Sequence, residues 1–173
     1  FRETTKDTLN GRNNASRLIS LGRAVRAGEE MVKMSRIVSW FSCGAASAVA
    51  TKLAKPDVIA YCEVAEEHPD NKRFLKDCEE WFGQEILILG NDKYHRSIYE
   101  VFEKTKFLVG PFGARCTKEL KKAVREAFQE PGDVQILGYT IEEQDRLYRF
   151  IAANADLHFC TPLISSLLST SYS

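Results

Sequence analysis

One segment constrains the fold more than any other, an apolar run at residues 37–41 that leads directly into a loop of small residues. The run Ile37–Phe41 carries apolar side chains on both faces of an extended chain, which is typical of a strand inside a parallel sheet. The loop Ser42–Ser47 reads Ser-Cys-Gly-Ala-Ala-Ser, and a helical pattern follows at Ala48–Ala54. The sequence therefore predicts a central strand, a tight loop and a helix, in that order.

The same alternation of strand and helix patterns continues along the chain. Short apolar runs predict strands at Asp57–Cys62, Glu85–Leu89 and Val134–Leu137, and the alternating His158–Cys160 predicts another. Helical spacing of apolar residues predicts helices at Glu66–Phe82, Ser97–Lys104, Thr117–Gln129 and Glu142–Ala153. Strands that alternate with helices in this way form an α/β fold, a mostly parallel sheet flanked by helices on both faces. Such sheets bind ligands at the carboxyl ends of their strands.

Composition narrows the class of protein. The chain has 173 residues, of which 44% are hydrophobic, and this suits one core of ordinary size. Lysine plus arginine equals aspartate plus glutamate at 24 each, so no overall field attracts nucleic acid or a membrane surface. No apolar run approaches the roughly 20 residues that span a bilayer, and no secretory signal is visible. We expect a cytoplasmic protein without a membrane partner and with no strong nucleic-acid signal.

Both ends of the sequence differ from its middle. Residues 1–34 are polar with a weak apolar stripe, and we expect a flexible or non-native leader there. Residues 165–173 are rich in serine and are expected to form a tail. The predicted domain therefore covers residues 35–164, and we expect it to be shortened at its C-terminal end.

The loop Ser42–Ser47 has the chemistry of an anion site. A short loop between a strand and a helix aims backbone N–H groups at one point, where the helix dipole adds positive potential. Ser42 and Ser47 can add hydroxyl donors, and Gly44 lets the backbone approach an anion closely or adopt a positive φ. The alternative is a tight turn whose small residues serve packing alone.

Four segments carry a resemblance to a known family. The loop Ser42–Ser47 resembles the PP-loop pattern S-G-G-x-D-S, with Cys43 in place of the first glycine and Ala46 in place of the aspartate. In order along the chain, the other three are Glu67-His68-Pro69-Asp70-Asn71, Arg115-Cys116-Thr117-Lys118-Glu119-Leu120-Lys121, and Gly138-Tyr139 with Glu143 and Arg146. Together they resemble the phosphoadenosine phosphosulfate (PAPS) reductase-like family of the PP-loop adenine nucleotide α hydrolase superfamily, which has a Rossmann-like fold.

The resemblance implies a nucleotide site and names its residues. The ligand would be ATP or PAPS, and the phosphate-binding set would be Ser42, Cys43, Gly44, Ala45, Ala46, Ser47, Arg115, Lys121, Gly138, Glu143 and Arg146. The basic cluster around Arg115 and Lys121 has an alternative interpretation as a solvated helix that Thr117 caps. For Arg146 the alternative is a plain ion pair with a glutamate one turn earlier.

The cysteines offer one candidate for chemistry. They number five and are widely spaced, so reduced thiols are expected. Cys116 lies between Arg115 and Lys118 and is the candidate nucleophile or redox group, although a small buried side chain is the alternative. Adenylyl sulfate reductases of this family ligate an iron–sulfur cluster with paired cysteines near this position and later, and only Cys116 is present, so we expect no cluster. The three histidines show no metal-binding spacing, and no metal site is expected.

The family offers two chemistries. One cleaves ATP between its α and β phosphates to adenylate an acceptor, usually with magnesium. The other reduces PAPS to sulfite with a C-terminal cysteine and a thioredoxin-like reductant, and its E-C-G-x-H tail does not occur in this sequence. A nucleotide-binding or scaffold module without turnover is the alternative, and the sequence leaves open whether the chain forms a homodimer.

Overall fold

The computed structural model describes residues 35–111 and 113–166. The strands are β1 (Ile37–Phe41), β2 (Val58–Cys62), β3 (Ile86–Leu89), β4 (Val109–Gly110), β5 (Gly113–Ala114), β6 (Val134–Ile136) and β7 (His158–Cys160). The helices are α1 (Ala45–Ala54), α2 (Asn71–Phe82), α3 (Ile98–Thr105), α4 (Arg115–Thr117), α5 (Ala123–Phe128), α6 (Gln144–Ala153) and α7 (Pro162–Ser165). A π-helical turn, Lys118–Lys122, joins α4 to α5, and 3-10 turns lie at Asp92–Tyr94 and Ile141–Glu143.

Five strands form one parallel sheet in the order β3-β2-β1-β6-β7. The prediction that Ile37–Phe41 is the central strand is confirmed, and so is the parallel α/β class. Strands β4 and β5 form a separate two-stranded antiparallel hairpin. None of the described helices is both long and apolar enough to cross a membrane.

Helices cover both faces of β1 because its side chains alternate between them. Phe41 points to one face, where it packs with Ala48 of α1 and Leu75 of α2. On that face Ser39 is buried, and its hydroxyl is 2.6 Å from the hydroxyl of Thr51, so the polar pair is satisfied inside the core. Trp40 points to the other face and meets Phe128 of α5 edge to face, with ring centroids 6.0 Å apart.

The strand order reverses between β1 and β6. From β1 the chain proceeds to β2 and then β3 on one side, whereas β6 and β7 lie on the other side of β1. The loops that leave the carboxyl ends of β1 and β6 therefore diverge and open a crevice between them. In doubly wound sheets this switch point is where ligands bind.

The structure corrects several predicted boundaries. Helix α1 begins at Ala45 rather than Ala48, and α2 begins at Asn71 rather than Glu66, because Pro69 disfavours helical backbone at the residue before it. The predicted cap at Thr117 is wrong, since α4 begins at Arg115, whose N–H donates to the carbonyl of Leu108. The predicted leader at residues 1–34, and residues 167–173 of the predicted tail, lie outside the described residues.

Candidate functional site

The hydroxyl of Ser47 holds the loop after β1 in shape. Its oxygen accepts hydrogen bonds from the backbone N–H of Ser42 at 3.2 Å, from the N–H of Gly44 at 3.3 Å and from the hydroxyl of Ser42 at 3.1 Å. It also donates to the carbonyl of Gly44 at 2.8 Å. The loop is thus folded around the side chain of a residue in the first turn of α1.

The residue with positive φ in this loop is Cys43, at 58°, whereas Gly44 is extended at −123°. Of the two alternatives expected for Gly44, the positive φ is therefore not adopted, and close approach of the backbone to an anion stays a prediction. Left-handed backbone is unfavourable for cysteine, and contacts of the Cys43 side chain stabilise this conformation. Cys43 packs against the core cluster that contains Phe41, and its thiol lies 3.6 Å from the carbonyl of Asn71 at the start of α2.

The first turn of α1 supplies amide donors. In any α-helix the first N–H groups lack acceptors from their own helix, and in α1 these groups belong to Ala45, Ala46 and Ser47. Their partial positive charge is aligned with the helix dipole at the end of the central strand. Gly44 at the cap position has no side chain, so it leaves the approach to these amides open.

The loop after β6 packs directly on this turn through Gly138. A Cβ at residue 138 would lie 2.7 Å from the Cα of Ser47 and 2.9 Å from its backbone nitrogen. Both atoms are backbone and cannot rotate away. Only glycine therefore allows the two loops to come this close.

A cleft of about 310 Å³ opens between the two loops. Its far wall includes Arg146 of α6, which donates to Glu143 at 2.8 Å and lies 5.4 Å from the ring centre of Tyr139. The Arg146 side chain is 67% exposed, so its guanidinium can turn to a ligand at little cost. The cleft is lined by Trp40, Ser42, Gly44, Ala46, Ser47, Leu137, Gly138, Tyr139, Glu143 and Arg146, seven of which belong to the predicted set.

A second and smaller cavity, about 160 Å³, lies on the other side of Ser42, at the carboxyl ends of β1 and β2. Trp40, Phe41 and Tyr61 give it aromatic walls, and three cations border it. Within residues 35–111 and 113–166, Lys122 and Arg125 have no ion-pair partner. The cavity is lined by Trp40, Phe41, Ser42, Tyr61, Cys62, Lys121, Lys122 and Arg125.

Lys121 is held at this cavity by Glu67. The Lys121 amine is 2.9 Å from Oε1 of Glu67, while Oε2 accepts from the phenol of Tyr61 and from Nδ2 of Asn71 at 3.2 Å. Burial, and then the hydrogen bond to Glu67, raise the pKa of Tyr61, so its phenol stays protonated. This network connects α2, β2 and the π-helical turn above the sheet.

Two predicted residues lie elsewhere. Arg115 is paired with Glu119 at 2.9 Å and is not among the described residues that line either cavity. Cys116 packs against a buried cluster that includes Tyr94, Val101 and Leu120, which agrees with the interpretation of this thiol as a small packing side chain. The structure thus brings together the loop, Lys121 and Arg146, but not Arg115 or Cys116.

The thiols beside the loop are poor nucleophiles. Burial raises the pKa of Cys43 to about 11, and the nearby Glu67 carboxylate adds to the shift. Burial also raises the pKa of Cys62 to about 11, although the positive charge of Lys121 opposes it. Both side chains are therefore protonated at neutral pH, and a protonated thiol is unreactive.

The residues at the loop do not form a metal site of their own. In the part of the chain that the structure describes, no group of three or more His, Cys, Asp or Glu side chains is placed to hold a metal ion. Ala46 stands where the PP-loop pattern has an aspartate, and the carboxylates of Glu67 and Glu143 are engaged in ion pairs. Magnesium commonly uses only one or two carboxylates beside the phosphates of a bound substrate.

Sequence reasoning missed Trp40 and Tyr61, which line the cavities, and Gln135, which accepts a hydrogen bond from the Trp40 indole. The first two were interpreted only as strand residues, although each stands at or next to the carboxyl end of a central strand. Gln135 is 2% exposed in β6, and an amide inside an apolar strand is itself a signal, since a buried amide needs partners.

Comparison with known proteins gives no match: no family model, no curated protein and no solved structure matches this chain. The function proposed below is therefore supported by the residues of the site and by the motif resemblance.

Proposed function

We propose that this protein binds an adenine nucleotide, ATP or PAPS, and acts at its phosphate or sulfate group, as a PP-loop protein similar to PAPS reductases. The phosphate groups lie at the loop Ser42–Ser47, and the base lies in the aromatic cavity beside it. One observation carries the proposal: the loop ends the central strand at the point where the strand order reverses.

The phosphate position is supported by donors of two kinds. The first turn of α1, whose amides lack acceptors from their own helix, lines the cleft, and Arg146 stands on its far wall. Backbone amides at a helix start bind phosphate without further charge, and an arginine fork adds charged hydrogen bonds. This combination favours a phosphate chain that runs from the loop toward α6.

The base position is supported by the contrast between the two cavities. The cleft beside β6 has Trp40 and Tyr139 among mainly small and polar residues, whereas three aromatic residues, Trp40, Phe41 and Tyr61, line the smaller cavity beside β2. Aromatic rings stack on nucleobases and gain from burying them. Lys121 borders this cavity and lies between the base and the loop, where an α phosphate would be.

A nucleotide-binding module without turnover is the second candidate. It is favoured by Ala46, which removes the acidic residue of the PP-loop pattern, and by the raised pKa of both thiols near the loop. Reduction through Cys43 or Cys62 would require a thiolate that neither residue provides at neutral pH.

Calorimetric titration with ATP and with PAPS tests binding, with pyrophosphate release and sulfite formation assayed on the same samples. An enzyme yields one of the two products, and a module binds without either. Arg146→Ala should weaken binding of both ligands, and Arg149→Ala on the same helix is the matched control, because Arg149 is not among the described residues of either cavity. Absence of binding to both nucleotides would contradict the proposal.

A further inference from the structure

Trp40 occupies a particular place in the site. It is one of two residues, with Ser42, that line both the cleft beside β6 and the cavity beside β2. The parallel register pairs Trp40 with Ala60 of β2, and so small a neighbour leaves room next to the indole ring. The ring is therefore the wall that the two cavities share.

Neighbouring side chains fix the orientation of the Trp40 ring. Its indole N–H donates to Oε1 of Gln135 at 3.1 Å, and Nε2 of Gln135 donates to Oε1 of Gln129 at 2.9 Å. Gln135 is almost wholly buried, and its carbonyl oxygen and NH2 group both find their partners in only one orientation of the amide. Phe128 holds the ring by an edge-to-face contact at 6.0 Å.

A buried amide in a β-strand is costly unless its hydrogen bonds are made. Gln135 pairs with Val38 in the sheet and lies on the same face as Trp40, so its carbonyl oxygen accepts from the indole while its NH2 group donates to Gln129. The bond to Oε1 of Gln135 directs the indole N–H toward β6, which an apolar contact alone would not do.

We propose that Trp40 is the stacking wall for the nucleobase and that Gln135 is the positioning residue that fixes its ring. This inference rests on the proposed nucleotide function and deepens it. Stacking of the base on Trp40 makes the site selective for nucleotides over inorganic pyrophosphate, because pyrophosphate has no base and contacts only the loop and Arg146.

Affinity measurements on Trp40 variants test the stacking role. Trp40→Phe keeps an aromatic face but loses the indole N–H, so its affinity for ATP should fall by about threefold, as expected for loss of the Gln135 contact. Trp40→Leu keeps apolar volume without that face, and its affinity for ATP should fall about tenfold or more, since stacking on one base contributes about 1–3 kcal/mol. Its affinity for pyrophosphate should remain within about twofold of wild type.

Fluorescence provides a readout in a protein with the native Trp40. The chain has two tryptophans, Trp40 and Trp81, and Trp81→Phe leaves Trp40 as the single reporter. ATP should quench the emission of this variant, whereas pyrophosphate at saturation should not. The emission of Trp40 therefore reports on stacking directly, even if Trp40→Leu fails to fold.

The positioning role is tested by Gln135→Met, which has a similar size and no acceptor. In the Trp81→Phe background it should increase quenching of Trp40 by acrylamide and weaken ATP binding by about threefold to tenfold. In a Trp40→Phe background the same change should have little further effect on affinity, because phenylalanine has no indole N–H to hold.

The outcomes separate the two proposals. If wild type binds ATP, but Trp40→Leu binds it as tightly and ATP leaves the emission of Trp40 unchanged, the stacking inference is overturned while the nucleotide function stands. If Gln135→Met weakens ATP binding equally in the wild-type and Trp40→Phe backgrounds, Gln135 acts through general stability and not through the indole. If wild type does not bind ATP or PAPS, both proposals fail.

Discussion

The loop after β1 and the loop after β6 each contain a glycine of the predicted site, and they need it for different reasons. At Gly138 a side chain would collide with the backbone of Ser47, the nearest atom being 2.7 Å away. At Gly44 a Cβ would meet nothing of the protein closer than the Ser42 hydroxyl at 3.9 Å. Neither glycine is required by a positive φ.

The difference distinguishes a glycine that packing requires from a glycine that leaves space for a ligand. Gly138 serves the protein itself, because the two loops could not otherwise meet. Gly44 has space that the protein leaves empty, at the mouth of an amide-lined helix end. Packing does not require a glycine whose Cβ would fit, and the phosphate of the proposed ligand would use the same space.

The largest effect is expected at Gly138. Gly138→Ala forces backbone atoms apart and should lower the free energy of unfolding by about 3 kcal/mol, at the upper end of overpacking costs. Urea denaturation measures it. Gly44→Ala is the matched control and should change stability by less than about 1 kcal/mol. Equal losses at the two positions would remove the distinction.

The opposite pattern is expected for binding at Gly44. Gly44→Val is compatible with the extended backbone at this position, so the fold should persist. The added methyl groups fill the approach to the amides of α1, and affinity for ATP should fall by about tenfold or more. Calorimetry on the folded variant measures it. Unchanged affinity would show that the anion binds elsewhere.

A comparison of variants at two basic residues tests where the ligand binds. Lys121 borders the aromatic cavity, and Lys121→Ala should weaken ATP binding about tenfold, the loss of one charged hydrogen bond. Arg115 is paired with Glu119 away from both cavities, and Arg115→Ala should weaken binding by less than about threefold. Lys104→Ala, on α3, is the control and should leave affinity unchanged. A larger loss at Arg115 than at Lys121 would reverse this assignment.

The smallest effect concerns Cys43 and pH. Burial raises its pKa from 9.0 to about 11, so the folded protein holds this proton more tightly than the unfolded chain does. The stability that the thiol contributes is complete below pH 9 and is lost as pH rises toward 11. Urea midpoints of wild type and Cys43→Ala should therefore converge over this interval. A constant difference from pH 8 to pH 10.5 would contradict the expected titration.

Most of the sheet follows from sequence because buried parallel strands are continuous apolar runs. The strands Ile37–Phe41, Val58–Cys62 and Ile86–Leu89 agree with prediction to within one residue. Helix starts were less accurate, since at α1 and α4 the first turn is set by individual hydrogen bonds that leave no periodic pattern in the sequence. Small residues such as Ala45 are compatible with both loop and helix, and only the hydrogen bonds of Ser47 decide between them.

The structure brings predicted site residues together where chain position alone decides their placement. In any such sheet the loops at the carboxyl ends of β1 and β6 border the same crevice, so Ser42, Gly138 and Arg146 could be placed from sequence. Arg115 and Lys121 could not both face the site. A π-helical turn at Lys118–Lys122 follows the short helix that begins at Arg115, so regular helical spacing does not relate the two side chains.

The aromatic cavity could not be predicted in the same way. Trp40 and Tyr61 have the apolar character of core residues, and only the register between β1 and β2 shows that both border one space. Gln135 belongs to a third strand, and its contact with Trp40 spans 95 residues of sequence. Contacts at this separation leave no local pattern.

The Ser47 hydroxyl has a kinetic consequence. Because it already bonds the amides of Ser42 and Gly44, the loop has its shape before any anion arrives. Association then requires no slow ordering step, and little conformational entropy is lost on capture. In stopped-flow mixing the observed rate should rise linearly with nucleotide concentration and show no plateau, so differences in affinity among ligands would arise mainly from how fast they leave.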